Sequence, residues 1–210
     1  GLIVVSPPSM TSMRHESNVK SAVATMLNSA YYSQVELNSG QILVGNYLTI
    51  DQKGNSKLVA NLSPQHRAVN YRDQQQRVWY QNGRTLITID SNNRLTTLPI
   101  PELRGALVSM CQIDENNFQA ISNSELIQIQ NNALKKYCRK SDLGIPESED
   151  LNFIYKAPDH HGKIYILTSK NIYIFDHGSG RAQLIPNLTL ADYRMMTQLK
   201  KDLYFVGTYG

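Results

Sequence analysis

The chain has very little cysteine, no block of like charge and no long apolar run, and each shortage removes a class of protein. Only Cys111 and Cys138 occur in 210 residues, too few for a disulfide framework and insufficient alone for a zinc site. No apolar run approaches the roughly 18 residues that a membrane-spanning helix needs. The opening "GLIVVSPPS" is too short for a signal peptide and lacks its basic leader. On this reading any such segment has been removed or was never there, and a membrane would be reached only through segments outside this chain. Lys and Arg number 21 against 17 Asp and Glu, a formal charge of +4. They are scattered rather than massed, so no nucleic-acid partner is expected. A Gly-rich phosphate loop, a Gly-x-Ser-x-Gly elbow and a His-Glu-x-x-His run are all lacking. No catalytic residue and no cofactor are assigned.

What is there is a repeat. "KIYILT" (163–168) and "NIYIFD" (171–176) are rich in Ile and Tyr and flank a two-residue break, Ser169-Lys170, the signature of a tight hairpin. "HGSG" turns the chain again and "RAQLIP" gives a third strand that proline stops. "LNFIYKA" (151–157) precedes them, which completes a four-stranded antiparallel meander. The same order recurs over 31–62, 68–99 and 107–140, and a partial unit begins at 194. Third strands end at Asp51, Asp90, Gln130 and Asp176, intervals of 39, 40 and 46 residues. Period and strand count predict an all-β chain of β-propeller blades, four complete units and part of a fifth. Residues 1–30 would supply a strand, a short helix or a blade remnant. With this few units the chain is expected to be a piece of a larger ring, whose open edges other blades or a partner chain would cover. A β-sandwich also has many short strands, but they do not recur in sets of four. Helical spacing occurs only over 15–30, at Val19, Val23, Met26 and Leu27.

"RVWYQNGRTLITIDSNNRLTTLP", "KIYILTSKNIYIFDHGSGRAQLIP" and the terminal "DLYFVGTYG" resemble the two-component regulator propeller repeat. Its blades read as an apolar-aromatic strand ending in Gly-Thr, a short turn, Gly-Leu-Tyr and a strand ending in Asp. "LYFVGTYG" follows that pattern most fully, while Gln81-Asn82, Leu167-Thr168 and Ile121-Ser122 stand in place of Gly-Thr in other units. The resemblance spans 31–210. It implies a non-catalytic, periplasmic or otherwise extracytoplasmic sensor of a bacterial signal-transduction receptor, taking an oligosaccharide or similar polar ligand. A protein-interaction scaffold without a small-molecule ligand is the alternative.

Propeller geometry sorts the loops. Those between strands two and three, and those entering the next blade, share a face around the channel. That face would receive Asn46, His66, Arg67, Arg84, Glu102, Arg104, Asn123, Lys170, Asp192, Tyr193 and Arg194. Of these, Asn46, His66, Arg67, Arg84, Arg104, Lys170, Tyr193 and Arg194 are the ligand-binding candidates. Guanidinium groups can grip carboxylates or sulfates bidentately, and Asn and Tyr can bond sugar hydroxyls. Polar loops are also wet for no functional reason. His160, His161 and His177 near Asp159 could converge on the opposite face as zinc or nickel ligands. Adjacent histidines point apart, however, and no metal is assigned. Trp79, Tyr80, Tyr165, Tyr173, Phe175, Tyr204 and Phe205 are expected to wedge blades together. Cys111 and Cys138, on strands one and four of one unit, are expected to be too far apart to bond.

Overall fold

Short turns with the right residues set the strand register. Asn82 pairs with Thr85 across Gly83-Arg84, and Gly83 takes φ +57°. Gln130 pairs with Ala133 across Asn131-Asn132, both left-handed at φ 51° and 58°, the mirror-image turn that matches strand twist. A computed structural model describes residues 34–44, 48–53, 55–58, 69–92, 94–158, 163–176, 178–188, 192–200 and 203–208.

These residues form four antiparallel sheets of four strands and one of two. Blade 1 holds β1 (Gln34–Glu36), β2 (Ile42–Val44), β3 (Leu48–Ile50) and β4 (Ser56–Leu58). Blade 2 holds β5 (Asn70–Arg72), β6 (Val78–Asn82), β7 (Thr85–Ile89) and β8 (Leu95–Pro99). Blade 3 holds β9 (Leu107–Gln112), β10 (Asn117–Ser122), β11 (Glu125–Gln130) and β12 (Ala133–Arg139). Blade 4 holds β13 (Leu151–Lys156), β14 (Ile164–Thr168), β15 (Ile172–Asp176) and β16 (Arg181–Leu184), and β17 (Tyr193–Lys200) pairs with β18 (Leu203–Thr208). In every sheet strands follow chain order. The chain is a β-propeller, as the repeat predicts. The segment 1–30 lies outside the described residues.

There is no single core. One apolar cluster fills each seam between consecutive blades, because a meander buries both faces only against its neighbours. Leu43, Tyr80 and Ile87 join blades 1 and 2, and Trp79, Leu86, Leu107 and Phe118 join blades 2 and 3. Ile121, Leu126, Ile154, Ile164 and Phe175 join blades 3 and 4, and Tyr165, Leu167, Tyr193 and Met196 join blade 4 to β17 and β18. Trp79 and Phe118 stack at 4.8 Å between centroids. Burial of each such ring contributes roughly 1.5–3 kcal/mol. The expected aromatic wedges are buried except Tyr204, which is half-buried, and Phe205, which is exposed on β18. Cys111 and Cys138 are both buried and free, on the first and last strands of blade 3.

A 3-10 turn, Lys140–Leu143, follows β12, and its Asp142 carboxylate accepts the Arg139 N–H at 2.8 Å. It buries Lys140, whose Nζ donates to Glu147 O (2.6 Å) and Glu149 O (2.9 Å). Strand periodicity gave no sign of this device.

Candidate functional site

The loops between strands two and three mesh with those entering the next blade. Leu151 N–H donates to Asn123 O (2.9 Å), Ser169 N–H to Asp150 O (2.9 Å) and Asp192 N–H to Ser169 O (2.7 Å). Both loop types therefore do share a face. Arg84 Nη1 donates to Pro101 O at 3.1 Å, and Arg104, three residues on, sends its main-chain N–H toward Glu125 at 3.5 Å. Lys170 Nζ donates to Ser148 at 3.4 Å. Arg194 pairs with Asp192 at 2.8 Å and donates to Asn152 Oδ1 at 3.2 Å. Tyr193 is 1% exposed, and its hydroxyl has no hydrogen-bond partner among the described residues. The candidates thus fall into two groups, Arg84 with Arg104 and Lys170 with Tyr193 and Arg194. Asn46, His66 and Arg67 lie outside the described residues, as do Asp159, His160, His161 and His177.

Buried carboxylates close this face. Glu125 accepts from Ser122 Oγ (3.0 Å) and from the Tyr137 hydroxyl. Glu149 accepts from Thr168 Oγ1 (2.5 Å), Asn171 Nδ2 (2.8 Å) and the Tyr173 hydroxyl (3.0 Å). Burial first, and the nearby carboxylate second, push the phenols of Tyr137 and Tyr173 up to about 12. Burial does the same to Tyr71, and to the Cys111 thiol from an ordinary value of 9.0.

These raised values set an alkaline limit. A proton held more tightly when folded stabilises the protein below the group's unfolded pKa, and that contribution fades as pH climbs toward the folded value. Stability should therefore begin to fall near pH 9 with Cys111 and drop further between about pH 10 and 12 with the tyrosines. Phenolate absorbance at 295 nm should rise together with loss of strand circular dichroism. Full phenolate absorbance at pH 10 with the sheets intact would contradict the buried placements.

A sizeable cavity among the described residues lies elsewhere. About 620 Å³ in volume, it is lined by residues 69–71, 108–112 and 153–156 with Gln74 and Pro158. Those are the inner strands β5, β9 and β13, so it occupies the channel. Gln74 and Pro158 follow β5 and β13, which places its rim at the end where strand one passes to strand two. That end is opposite the meshed loop face, and Arg84, Arg104, Lys170, Tyr193 and Arg194 do not line it.

Its lining mixes apolar walls with amides and hydroxyls. Gln112 Oε1 accepts the Gln74 N–H (2.8 Å), and its Nε2 donates to Gln75 (2.8 Å). The Tyr71 hydroxyl accepts the Gln112 N–H at 3.1 Å, and the Tyr155 hydroxyl accepts the Gln198 N–H at 3.0 Å. Among the described residues Lys156 is the only Lys, Arg, Asp or Glu in the lining, and its ammonium donates across the seam to Ile113 O. The groups on offer donate and accept hydrogen bonds and present at most one positive charge, which suits a polar neutral or anionic molecule. Sequence reasoning passed over these residues because it looked to loops. The available signal was Ser109 and Gln112 standing polar among the apolar residues of one inner strand, β9.

No family model and no curated protein matches the chain, but solved structures do. Virginiamycin B lyase from Staphylococcus aureus aligns with TM-score 0.62 at 14% identity, over 83% of this chain and 62% of that one. A streptogramin B lyase aligns with TM-score 0.62 at 12% identity, over 83% and 61%. The extracellular domain of BT4673 from B. thetaiotaomicron, described as a hybrid two-component system, gives TM-score 0.64 at 12% identity, over 87% and 26%. The chain therefore spans under two thirds of the length of each, and at such identities the likeness is one of fold.

Proposed function

We propose that this propeller is the ligand-sensing module of a bacterial signal-transduction receptor, working outside the cytoplasm. The ligand is polar and sugar-like and is held in the channel cavity. The observation that supports this most is the cavity's lining of Asn70, Gln74, Gln112, Ser109 and two tyrosines around a single ammonium. Amides and hydroxyls match the alternating donors and acceptors of a sugar. The module binds without catalysing. Among the described residues no three His, Cys, Asp or Glu side chains group as a metal site, and no carboxylate lines the cavity. The likeness in fold to the extracellular domain of BT4673 is consistent with this reading.

Calorimetric titration with digests of plant and host polysaccharides tests it. At least one fraction should bind, and Gln74→Ala, at an exposed rim position, should weaken that binding about 3–10-fold, the worth of one hydrogen bond. Uniform silence across the panel would remove the sensor reading.

A scaffold is the second reading, favoured by the exposed Met195, Leu199, Leu203 and Phe205 of β17 and β18. It expects self-association or partner capture through that sheet. A monomer by sedimentation that is unchanged by Phe205→Ser speaks against it.

A further inference from the structure

Strand register aligns the inner strands residue by residue. Val35, Tyr71, Cys111, Tyr155 and Thr197 occupy one position, each opposite strand two of its own blade at Leu43, Trp79, Gln119, Tyr165 and Phe205. The next position holds Glu36, Arg72, Gln112, Lys156 and Gln198. Seam chemistry alternates along this row. From blades 2 and 4 the hydroxyls of Tyr71 and Tyr155 cross to the main-chain N–H of Gln112 and Gln198. At the other two seams a cation reaches back instead: Arg72 donates to Glu36 O and Lys156 to Ile113 O.

At the seam between blades 3 and 4 the residue in the tyrosine position is Cys111, and the equivalent main-chain N–H is that of Lys156. A thiol on one methylene ends well short of where a tyrosine oxygen would lie. The cavity opens there, with Cys111, Phe153, Ile154 and Lys156 in its wall. Cys111 belongs to the apolar cluster of that seam with Ile154 and Ile164, as Tyr71 and Tyr155 pack on the clusters of theirs. The recess lies at the row position that a tyrosine occupies in blades 2 and 4.

We propose that this recess is a subsite for a hydroxyl-bearing aromatic ring, a phenol, whose ring lies against Cys111 and Ile154 and whose oxygen accepts the Lys156 N–H. Walls of Cys111, Phe153 and Ile154, with the donors of Lys156 at one end, select a phenol over a bare hydrocarbon, which would bury the Lys156 N–H beside carbon, and over a sugar ring, most of whose hydroxyls would face those three apolar side chains. The subsite rests on the channel cavity being the ligand site and names what that cavity takes near its rim, at the seam between blades 3 and 4.

The probes are p-cresol, which is the tyrosine side chain itself, and toluene, which is p-cresol without its hydroxyl. Titrated into protein labelled with 15N, p-cresol should shift the Lys156 amide resonance saturably, at a concentration at least tenfold below toluene. Cys111→Tyr should abolish p-cresol binding and, without any ligand, move its own Lys156 amide in the direction p-cresol moves it. Toluene binding as well as p-cresol, or a Cys111→Tyr protein that still takes p-cresol at this amide, overturns the subsite. The first comparison needs no variant to fold. If p-cresol fails while an oligosaccharide still binds the cavity, the subsite alone is lost; if both fail, the cavity as ligand site is lost with it.

Discussion

Asp73→Ala should destabilise the protein by about 3–5 kcal/mol, the penalty for removing one partner of a buried pair. Asp73 is 2% exposed and is the hub of the seam between blades 2 and 3. Its Oδ2 accepts from Arg77 Nε at 2.6 Å and from Trp79 Nε1 at 2.8 Å, and its Oδ1 accepts the Arg77 N–H at 2.8 Å. The anchored guanidinium lies 5.4 Å from the Trp79 ring centre and 5.3 Å from that of Phe118, so it bridges both blades. Alanine strands a buried indole N–H and a mostly covered cation, and leaves the guanidinium free to swing off the two rings. Asp73→Asn should be milder, because its carbonyl oxygen can still accept one of the three bonds. Urea denaturation followed by Trp79 fluorescence measures both variants. A change below 1 kcal/mol for alanine would show that the seam does not depend on this carboxylate.

The second large effect is at Glu149. Its carboxylate, 4% exposed, is met by three donors, Thr168, Asn171 and Tyr173, while its carbonyl accepts from Lys140. It fastens the segment before β13 to the turn between β14 and β15. Glu149→Ala leaves those donors without their acceptor in a buried setting, at about 1–3 kcal/mol each before any repacking or water entry. A loss of about 3 kcal/mol in total is expected. Glu149→Gln should lose nearly as much, because an amide brings two donors of its own to a site built only of donors. Tyr173 offers an independent reading: with the acceptor removed, its phenol should titrate closer to the ordinary range, visible at 295 nm. Stability equal to the parent in Glu149→Gln would mean that the site accepts a donor, and so that its hydroxyls are turned otherwise.

Much of the fold was legible from the sequence, for a local reason. Alternating apolar residues, Asn131-Asn132 and Gly83 at turns, and a period near 40 are written in short windows, and a propeller is assembled almost wholly from neighbours. The aromatic wedges Trp79, Tyr165 and Phe175 followed from that, since strand alternation alone places them between sheets. Phe205 did not, because alternation says which way a side chain points but not whether another sheet stands there.

The candidate site was far less legible. Loop position singled out Arg84, Arg104, Lys170 and Arg194 as polar groups on one face, and the loops do share that face. Whether those groups gather depends on which neighbour each side chain finds, and Arg194 finds Asp192 while Arg84 finds Pro101 O. Buried Lys140, Glu125 and Glu149 have the same composition as exposed Lys135 and Glu147; nothing local marks them as seam fasteners.

The sequence by itself determined an all-β chain of four-stranded repeats, because strand, turn and period are local signals. Only the tertiary structure decided where the channel opens. That depends on one row across five inner strands some 40 residues apart, in which tyrosine hydroxyls bridge two seams and the cations Arg72 and Lys156 cross the other two. Register and sheet packing bring that row together, and no short window of sequence contains it.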